Sequence, residues 1–201
     1  MPGSWPWQAS IRWENDHICG GTLINHRWIL SAAHCFHDLQ DRKKEECPEY
    51  GIRETENRTN IEPDAIAFEF GVVLGEHDSN ITDGWEQTRS VEKVILHPNY
   101  NFCSSDHDLA LVKLSSPVEL SDRVSPVCLP QRSDEDRLNA KSTCYVTGWG
   151  STSIDFYNLV SSNVLKQDST RLFSLKECGE LLPGVTERML CAGNYMNSLL
   201  K

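Results

Sequence analysis

The chain has 201 residues, of which 39% are hydrophobic and 24% are charged, so it can bury a core and is not a disordered chain. Its net charge of −10 argues against a nucleic-acid partner, and no apolar run approaches the roughly 20 residues that a membrane span needs. At roughly 150 residues per domain, this length corresponds to one large domain or two small ones.

The predicted elements are mostly short β-strands. Alternating or apolar stretches bounded by turn residues predict strands at residues 9–13, 21–24, 27–33, 91–96, 109–114 and 145–150. Strands at this spacing are typical of a β-barrel or a sandwich. One short helix is expected at residues 175–182, before Pro183-Gly184.

Two segments interrupt this pattern. Residues 37–70 hold ten acidic and five basic side chains, which indicates a solvated surface loop. Residues 115–144 are rich in Pro, Ser and Asp and are expected to connect two halves of the chain.

Eight cysteines without a Cys-x-x-Cys pair favour disulfides over metal ligands, and therefore an oxidising, secreted context. The first seven residues have neither a basic region nor an apolar region, so they are not a signal peptide. We therefore expect sequence to be missing at the front.

His34 and Asp108 are the first candidates for chemistry. His34 follows an apolar strand and Asp108 begins another, so the two side chains could meet at a barrel rim. There the aspartate would fix the imidazole tautomer and the histidine would act as a general base. The pairing alone is weak, because an isolated histidine is more often structural.

Seven motifs, however, occur together in a fixed order. They are Pro6-Trp7-Gln8-Ala9-Ser10, Cys19-Gly20-Gly21-Thr22-Leu23-Ile24, Ser31-Ala32-Ala33-His34-Cys35, Asp108-Leu109-Ala110-Leu111, Val127-Cys128-Leu129-Pro130, Val146-Thr147-Gly148-Trp149-Gly150 and Met189-Leu190-Cys191-Ala192-Gly193. With them, the chain resembles the trypsin/chymotrypsin family of serine endopeptidases over most of residues 3–194.

This resemblance implies an all-β chain of two antiparallel β-barrels in the chymotrypsin-like fold, with the active site in the cleft between them. The first barrel, at about 3–114, would be nearly complete and would carry an acidic insertion at 37–70. A connector at about 115–143 would lead to a partial second barrel at about 144–194, missing its C-terminal strands. Residues 195–201 diverge from the family.

By the same resemblance, His34 matches the general base and Asp108 its orienting partner. The two residues lie 74 positions apart here, against about 45 in well-studied members, and the acidic insertion accounts for the excess. The gene product is thus expected to be a secreted trypsin-like endopeptidase. Its partners would be protein or peptide substrates and protease inhibitors, with no nucleic acid and no membrane span.

The serine nucleophile is not found. The family's Gly-Asp-Ser-Gly-Gly segment is absent, and Ser198 has no flanking glycines. The oxyanion hole, the specificity pocket and the activating N-terminus are missing as well, so truncation at both ends is expected and the 201-residue chain is predicted to be inactive. The alternative is a non-catalytic, protease-like protein-binding module.

An acidic loop resembles the family's calcium loop. Glu76 and Glu86 would be side-chain ligands, Asp78 and Ile81 would supply carbonyl oxygens, and Asp83 would bind directly or through water. The other interpretation is a solvated acidic hairpin. No cofactor is otherwise required.

Cysteine pairing also follows from the resemblance, which implies the bridges Cys19–Cys35 and Cys178–Cys191. Cys47–Cys103 is the expected third bridge. Cys144 has lost its family partner, and Cys128 matches a position that tethers the domain to an upstream segment. Separately, Asn57-Arg58-Thr59 and Asn80-Ile81-Thr82 are N-glycosylation sequons.

Overall fold

The computed structural model describes residues 1–37, 67–131, 142–151 and 160–193. Strands dominate these ranges. They are β1 Gln8–Trp13, β2 Asp16–Asn25, β3 Trp28–Ser31, β4 Phe70–Leu74, β5 Gln87–Leu96, β6 Ala110–Leu114, β7 Thr143–Gly148, β8 Lys166–Phe173 and β9 Cys191–Gly193. Two short helices accompany them, α1 His34–His37 and α2 Leu175–Leu181, and no helix in the described ranges has the length and apolarity to cross a bilayer.

The first six strands form a closed antiparallel barrel in the order β1-β2-β3-β6-β5-β4. Along β6, Ala110, Val112 and Leu114 are buried while Leu111 between them is exposed, which is the period-two pattern of a strand with one face on a core. The all-β prediction and the expected first antiparallel barrel are therefore confirmed, and the barrel has six strands. Closure leaves this barrel no free sheet edge.

The barrel core is built from aliphatic side chains with two aromatic rings at one end. Phe36 from α1 and Phe70 from β4 meet edge to face, with ring centroids 5.0 Å apart. The core also holds Ala67, which belongs to a short 3₁₀ helix, Ala67–Glu69.

The prediction of a solvated loop at residues 37–70 is therefore wrong at the C-terminal end of this range. Residues 67–70 form the 3₁₀ helix and the start of β4. Ala67 and Phe70 are buried in the barrel core, whereas Phe68 and Glu69 are exposed. Residues 38–66, which hold most of the acidic side chains, lie outside the described residues.

The segment after β6 is also more than a connector. Val118 and Val124 are buried in the barrel core. The backbone N–H of Val118 donates to the carbonyl of His26 at 2.8 Å, and that of Val127 to Leu23 at 2.9 Å. As far as it is described, this segment therefore packs on the barrel.

The remaining strands form an antiparallel sheet in the order β7-β8-β9. Helix α2 begins with a capping box, in which the Ser174 hydroxyl accepts the Glu177 N–H and the Glu177 side chain accepts the Ser174 N–H. The disulfide Cys178–Cys191 joins α2 to β9. This sheet corresponds to the partial second barrel that the resemblance implied.

Side chains join the sheet to the barrel. Thr147 on β7 donates to Gln8 on β1 at 2.7 Å, and the indole N–H of Trp5 donates to Gln167 on β8 at 2.9 Å. A third connection is between backbones, since Leu165 N–H donates to the His77 carbonyl at 2.7 Å. The barrel and sheet thus meet along a shared face.

Candidate active site

Strand register brings His34 and Asp108 to the same end of the barrel. β3 and β6 are antiparallel neighbours, and Ser31, at the end of β3, lies opposite Ala110, at the start of β6. The chain leaving β3 and the chain entering β6 therefore run side by side. His34 begins α1 three residues after Ser31, and Asp108 comes two residues before Ala110.

The Asp108 carboxylate binds His34 at two points. His34 Nδ1 lies 2.6 Å from Asp108 Oδ2, and the backbone N–H of His34 donates to Asp108 Oδ1 at 2.9 Å. The aspartate side chain is 23% exposed and the imidazole 55% exposed. One carboxylate thus holds both the ring and the backbone of His34, which fixes the direction in which the ring points.

This contact decides the tautomer of His34. A carboxylate only accepts hydrogen bonds, so the proton of the neutral ring must lie on Nδ1. Nε2 then carries the lone pair, and Cys35 Sγ lies 3.7 Å from it. A histidine held in this way can take a proton from a group placed near Nε2, and the neighbouring negative charge stabilises the imidazolium that forms.

A disulfide closes the other side of the histidine. Cys19 on β2 and Cys35 on α1 are bonded, with Cα atoms 6.2 Å apart. The donor atoms of Cys19, His34 and Cys35 lie within 4.8 Å of one another. Both sulfurs are held in the disulfide and offer no thiolate, so this cluster braces α1 and is not a metal centre.

The loop between β4 and β5 holds the acidic side chains expected at a cation. Glu76 is nearly buried, and its Oε2 accepts from Arg12 on β1 at 2.9 Å, while its Oε1 is buried without a hydrogen-bond partner. Burial raises the pKa of Glu76, the Arg12 charge opposes this, and the charges of Glu86 and Asp78 raise it further.

The other expected ligands shape the loop itself. Glu86 accepts the backbone N–H groups of Asp83 at 2.7 Å and Gly84 at 2.8 Å. Partial burial acts to raise the pKa of Glu86, but these and neighbouring backbone donors together hold it below its ordinary value. The Asp78 carbonyl accepts the Ile81 N–H at 2.9 Å, and the Ile81 side chain is exposed.

One cluster near the histidine gave no signal in the sequence. Asp106 lies two residues before Asp108 and accepts hydrogen bonds from Arg188 and Thr186, which precede β9. The Arg188 hydrogen bonds, helped by Thr186 and opposed by desolvation, lower the pKa of Asp106 to about 2. Asp106 and Arg188 stand 82 residues apart in the chain, and no local pattern relates them.

The remaining candidate residues are placed as follows. Cys128 and Cys144 carry free thiols, the first exposed and the second partly buried. Cys103 is disulfide-bonded, whereas its expected partner Cys47 lies outside the described residues, as does the sequon at Asn57. Asn80 is exposed at the tip of the acidic loop.

Comparison with known proteins places this site in a family. A model of the family described as Trypsin matches residues 1–198. The chain is also 33% identical over 195 residues, or 96% of its length, to the atrial natriuretic peptide-converting enzyme of Mus musculus, of which it covers 15%.

The chain therefore belongs to the trypsin family of serine proteases. Members of this family are endopeptidases that act on protein substrates. The chain spans only about 15% of the length of this relative.

Proposed function

We propose that this chain is the catalytic region of a trypsin-like serine endopeptidase, with His34 as general base and Asp108 as its orienting partner. The observation that carries this proposal is the double contact of Asp108 with the ring and backbone of His34. It leaves Nε2 as the only ring nitrogen able to accept a proton.

The proposed chemistry is acyl transfer. His34 Nε2 takes the hydroxyl proton of a serine as that oxygen attacks the scissile carbonyl, and then returns the proton to the leaving amine. Asp108 stabilises the imidazolium that forms. The 201 residues contain no Gly-Asp-Ser-Gly-Gly segment, so we expect this chain alone not to hydrolyse peptide bonds. Substrates and inhibitors would be those of the form that carries the serine.

Hydrolysis of a denatured protein substrate by the native protein, meaning the form that carries the serine, tests this assignment. His34→Ala should remove nearly all turnover, because the proposed base for the serine proton is then lost. The matched control is His26→Gln, whose backbone carbonyl accepts Val118 N–H away from the site. Full activity in the His34 variant would overturn the proposal.

We further propose that the acidic loop holds a structural Ca²⁺. The support is the buried Oε1 of Glu76, which has no hydrogen-bond partner, beside the like charges of Glu86 and Asp78. Glu76 and Glu86 would bind the ion with carboxylate oxygens, Asp78 and Ile81 with carbonyls, and Asp83 directly or through water. A bound cation would neutralise the repulsion that raises the pKa of Glu76.

Thermal unfolding in EDTA and in millimolar Ca²⁺ tests the loop. Calcium at about 100 times its Kd should stabilise the fold by about 2.7 kcal/mol, and Glu76→Gln should abolish most of this gain. Glu92→Gln, which removes an exposed acid on β5, is the matched control. An equal Tm with and without calcium in the unaltered chain would contradict the site.

We also propose that the chain resides in an oxidising, extracellular setting. The disulfides Cys19–Cys35 and Cys178–Cys191 support this. We propose in addition that the exposed thiol of Cys128 tethers the chain to an upstream segment and that the exposed Asn80 carries a glycan. Peptide mass spectrometry of the native protein, before and after glycosidase treatment, should find Asn80 modified and Cys128 in a disulfide. Unmodified Asn80 and a free Cys128 thiol would contradict these assignments.

A further inference from the structure

The backbone that carries Asp108 adopts an unusual conformation. Ser105 and His107 have φ angles of 55° and 54°, in the left-handed region that non-glycine residues rarely occupy. A non-glycine residue in this region is strained and persists only where surrounding contacts hold it. The segment before β6 therefore needs external restraints to place Asp108.

One restraint comes from the barrel itself. The ring of His107 stacks on that of His97, which follows β5, with centroids 4.5 Å apart and planes 5° from parallel. The backbone N–H of His97 donates to the Leu109 carbonyl at 2.9 Å. These contacts hold the residues on either side of Asp108 against the end of β5.

A second restraint comes from the β7-β8-β9 sheet. Arg188 donates to Asp106 through Nε, 3.1 Å from each carboxylate oxygen, and through a terminal nitrogen 2.5 Å from Oδ2. Thr186 donates to Oδ1 at 3.0 Å. Two parallel N–H···O bonds from one guanidinium fix orientation as well as distance.

Both ends of this contact are anchored. The Asp106 side chain is only 13% exposed, and its Oδ1 also accepts the backbone N–H of His107 at 3.1 Å. On the other side, Arg188 and Thr186 lie within the stretch closed by the Cys178–Cys191 disulfide. The contact therefore joins one short rigid segment to another.

We propose that the Asp106–Arg188 ion pair is a tether between the barrel and the second sheet that positions Asp108, and through it His34. Asp106 and Arg188 are then positioning residues for the acyl transfer proposed above, on which this inference rests. Neither touches the reacting atoms. Loss of the tether frees the left-handed segment to relax and loosens the Asp108 contact with His34.

The test follows the His34 Nδ1 proton by ¹H NMR on the 201-residue chain. A short hydrogen bond to a carboxylate shifts this proton downfield and slows its exchange with water. Arg188→Gln should raise the exchange rate about tenfold or broaden the signal beyond detection, and Arg188→Lys, which keeps the charge without the two-point contact, should fall between. Asp106→Asn repeats the test from the other partner.

Glu187→Gln is the matched control, because Glu187 makes an exposed contact to the same guanidinium, 3.5 Å away, without touching Asp106. Its signal should match that of the unaltered chain. In the native enzyme, Arg188→Gln should lower kcat by about tenfold, within the range of up to about 10²-fold for a small misplacement, and leave KM nearly unchanged.

The outcomes separate the two proposals. In the first outcome, the unaltered chain shows the downfield proton, and the signal is unchanged in Arg188→Gln, Arg188→Lys and Asp106→Asn. This result overturns the tether and leaves the His34–Asp108 assignment standing. In the second outcome, the downfield proton is absent from the unaltered chain as well as from Asp108→Asn. This result overturns both the tether and the His34–Asp108 assignment, since there is then no His34–Asp108 hydrogen bond to position. Loss of the signal in Glu187→Gln to the same extent as in Arg188→Gln also overturns the tether.

Discussion

At the scale of single residues, the proposed chemistry depends on the two contacts between His34 and Asp108. The 2.6 Å contact at Nδ1 sets the tautomer, and the 2.9 Å contact from the backbone N–H sets where the carboxylate lies. A substitution that removes the charge of the Asp108 side chain and keeps its shape separates these two effects.

Asp108→Asn is therefore the sharpest single change. The amide nitrogen donates a hydrogen bond to Nδ1, which places the ring proton on Nε2 and removes the base from the reacting side. In the native enzyme, kcat should fall by about 10⁴-fold, the magnitude known for this exchange in serine proteases of this fold, while Tm changes little. Steady-state kinetics measures the fall, and the control is the exposed Asp122→Asn. A kcat within tenfold of the unaltered value would contradict the role of Asp108.

At the scale of secondary-structure elements, the sequence predicted strands in which apolar residues cluster. β5 buries Val91 and Val94, and β6 buries Ala110, Val112 and Leu114. β8 buries only Thr170 fully and is held mainly by backbone pairing with β7 and β9, so it leaves no hydrophobic pattern to detect. The predicted strands do not include β4, whose first residue, Phe70, falls at the end of the acidic stretch.

The site divides in the same way. His34, Asp108 and the cysteine pairs lie in short motifs, which resemblance can locate. The Asp106–Arg188 contact joins distant segments through one ion pair, and only the folded chain brings them together. The burial of Val118 and Val124 in the connector likewise depends on tertiary packing, and the Pro- and Ser-rich composition of the segment does not reveal it.

The connector's role in the core can be tested at Val124. Its side chain is fully buried in the barrel, so Val124→Ala should lower the free energy of unfolding by about 2 kcal/mol through lost burial and the cavity left behind. Leu120→Ala is the control, because Leu120 lies in the same segment but is 57% exposed. Urea denaturation measures both. Equal stability of the two variants would mean that the connector does not belong to the barrel core.

The raised pKa of Glu76 determines how the stability of the fold should change with pH. The folded-state pKa of Glu76 is above its ordinary value of 4.5, so in EDTA the ionised side chain destabilises the fold as pH rises through that folded pKa. Glu76→Gln should be more stable than the unaltered chain at pH 7, and the two should converge below about pH 4.5. Thermal unfolding across this range in EDTA checks it. A stability gap that widens as pH falls would contradict the assignment.

At the scale of the whole molecule, the barrel and the second sheet are joined by a few polar contacts. Gln8–Thr147, Trp5–Gln167 and Asp106–Arg188 each bridge the two units. The family resemblance implies a reaction between the barrel and the second sheet, so these contacts would determine how the groups on either side face each other. Among them, the ion pair is the one that titrates.

The stability that Asp106 contributes should therefore depend on acid pH. Its pKa falls from 3.8 to about 2 in the fold, so its contribution is present above about pH 3.8 and is lost as pH falls towards 2. The unaltered chain should exceed Arg188→Gln in stability at pH 7, and this difference should disappear near pH 2. Urea denaturation at a series of pH values measures it. A constant difference down to pH 2 would show that the ion pair contributes nothing.

The central claim is that this chain forms the His34–Asp108 half of a serine endopeptidase site. The most direct measurement is labelling of the native protein with a fluorophosphonate probe, followed by peptide mapping of the labelled residue. We predict labelling of a serine within a Gly-Asp-Ser-Gly-Gly segment, abolished by His34→Ala, and no labelling of the 201-residue chain. Labelling of a serine within these 201 residues, or labelling that survives His34→Ala, would contradict the account.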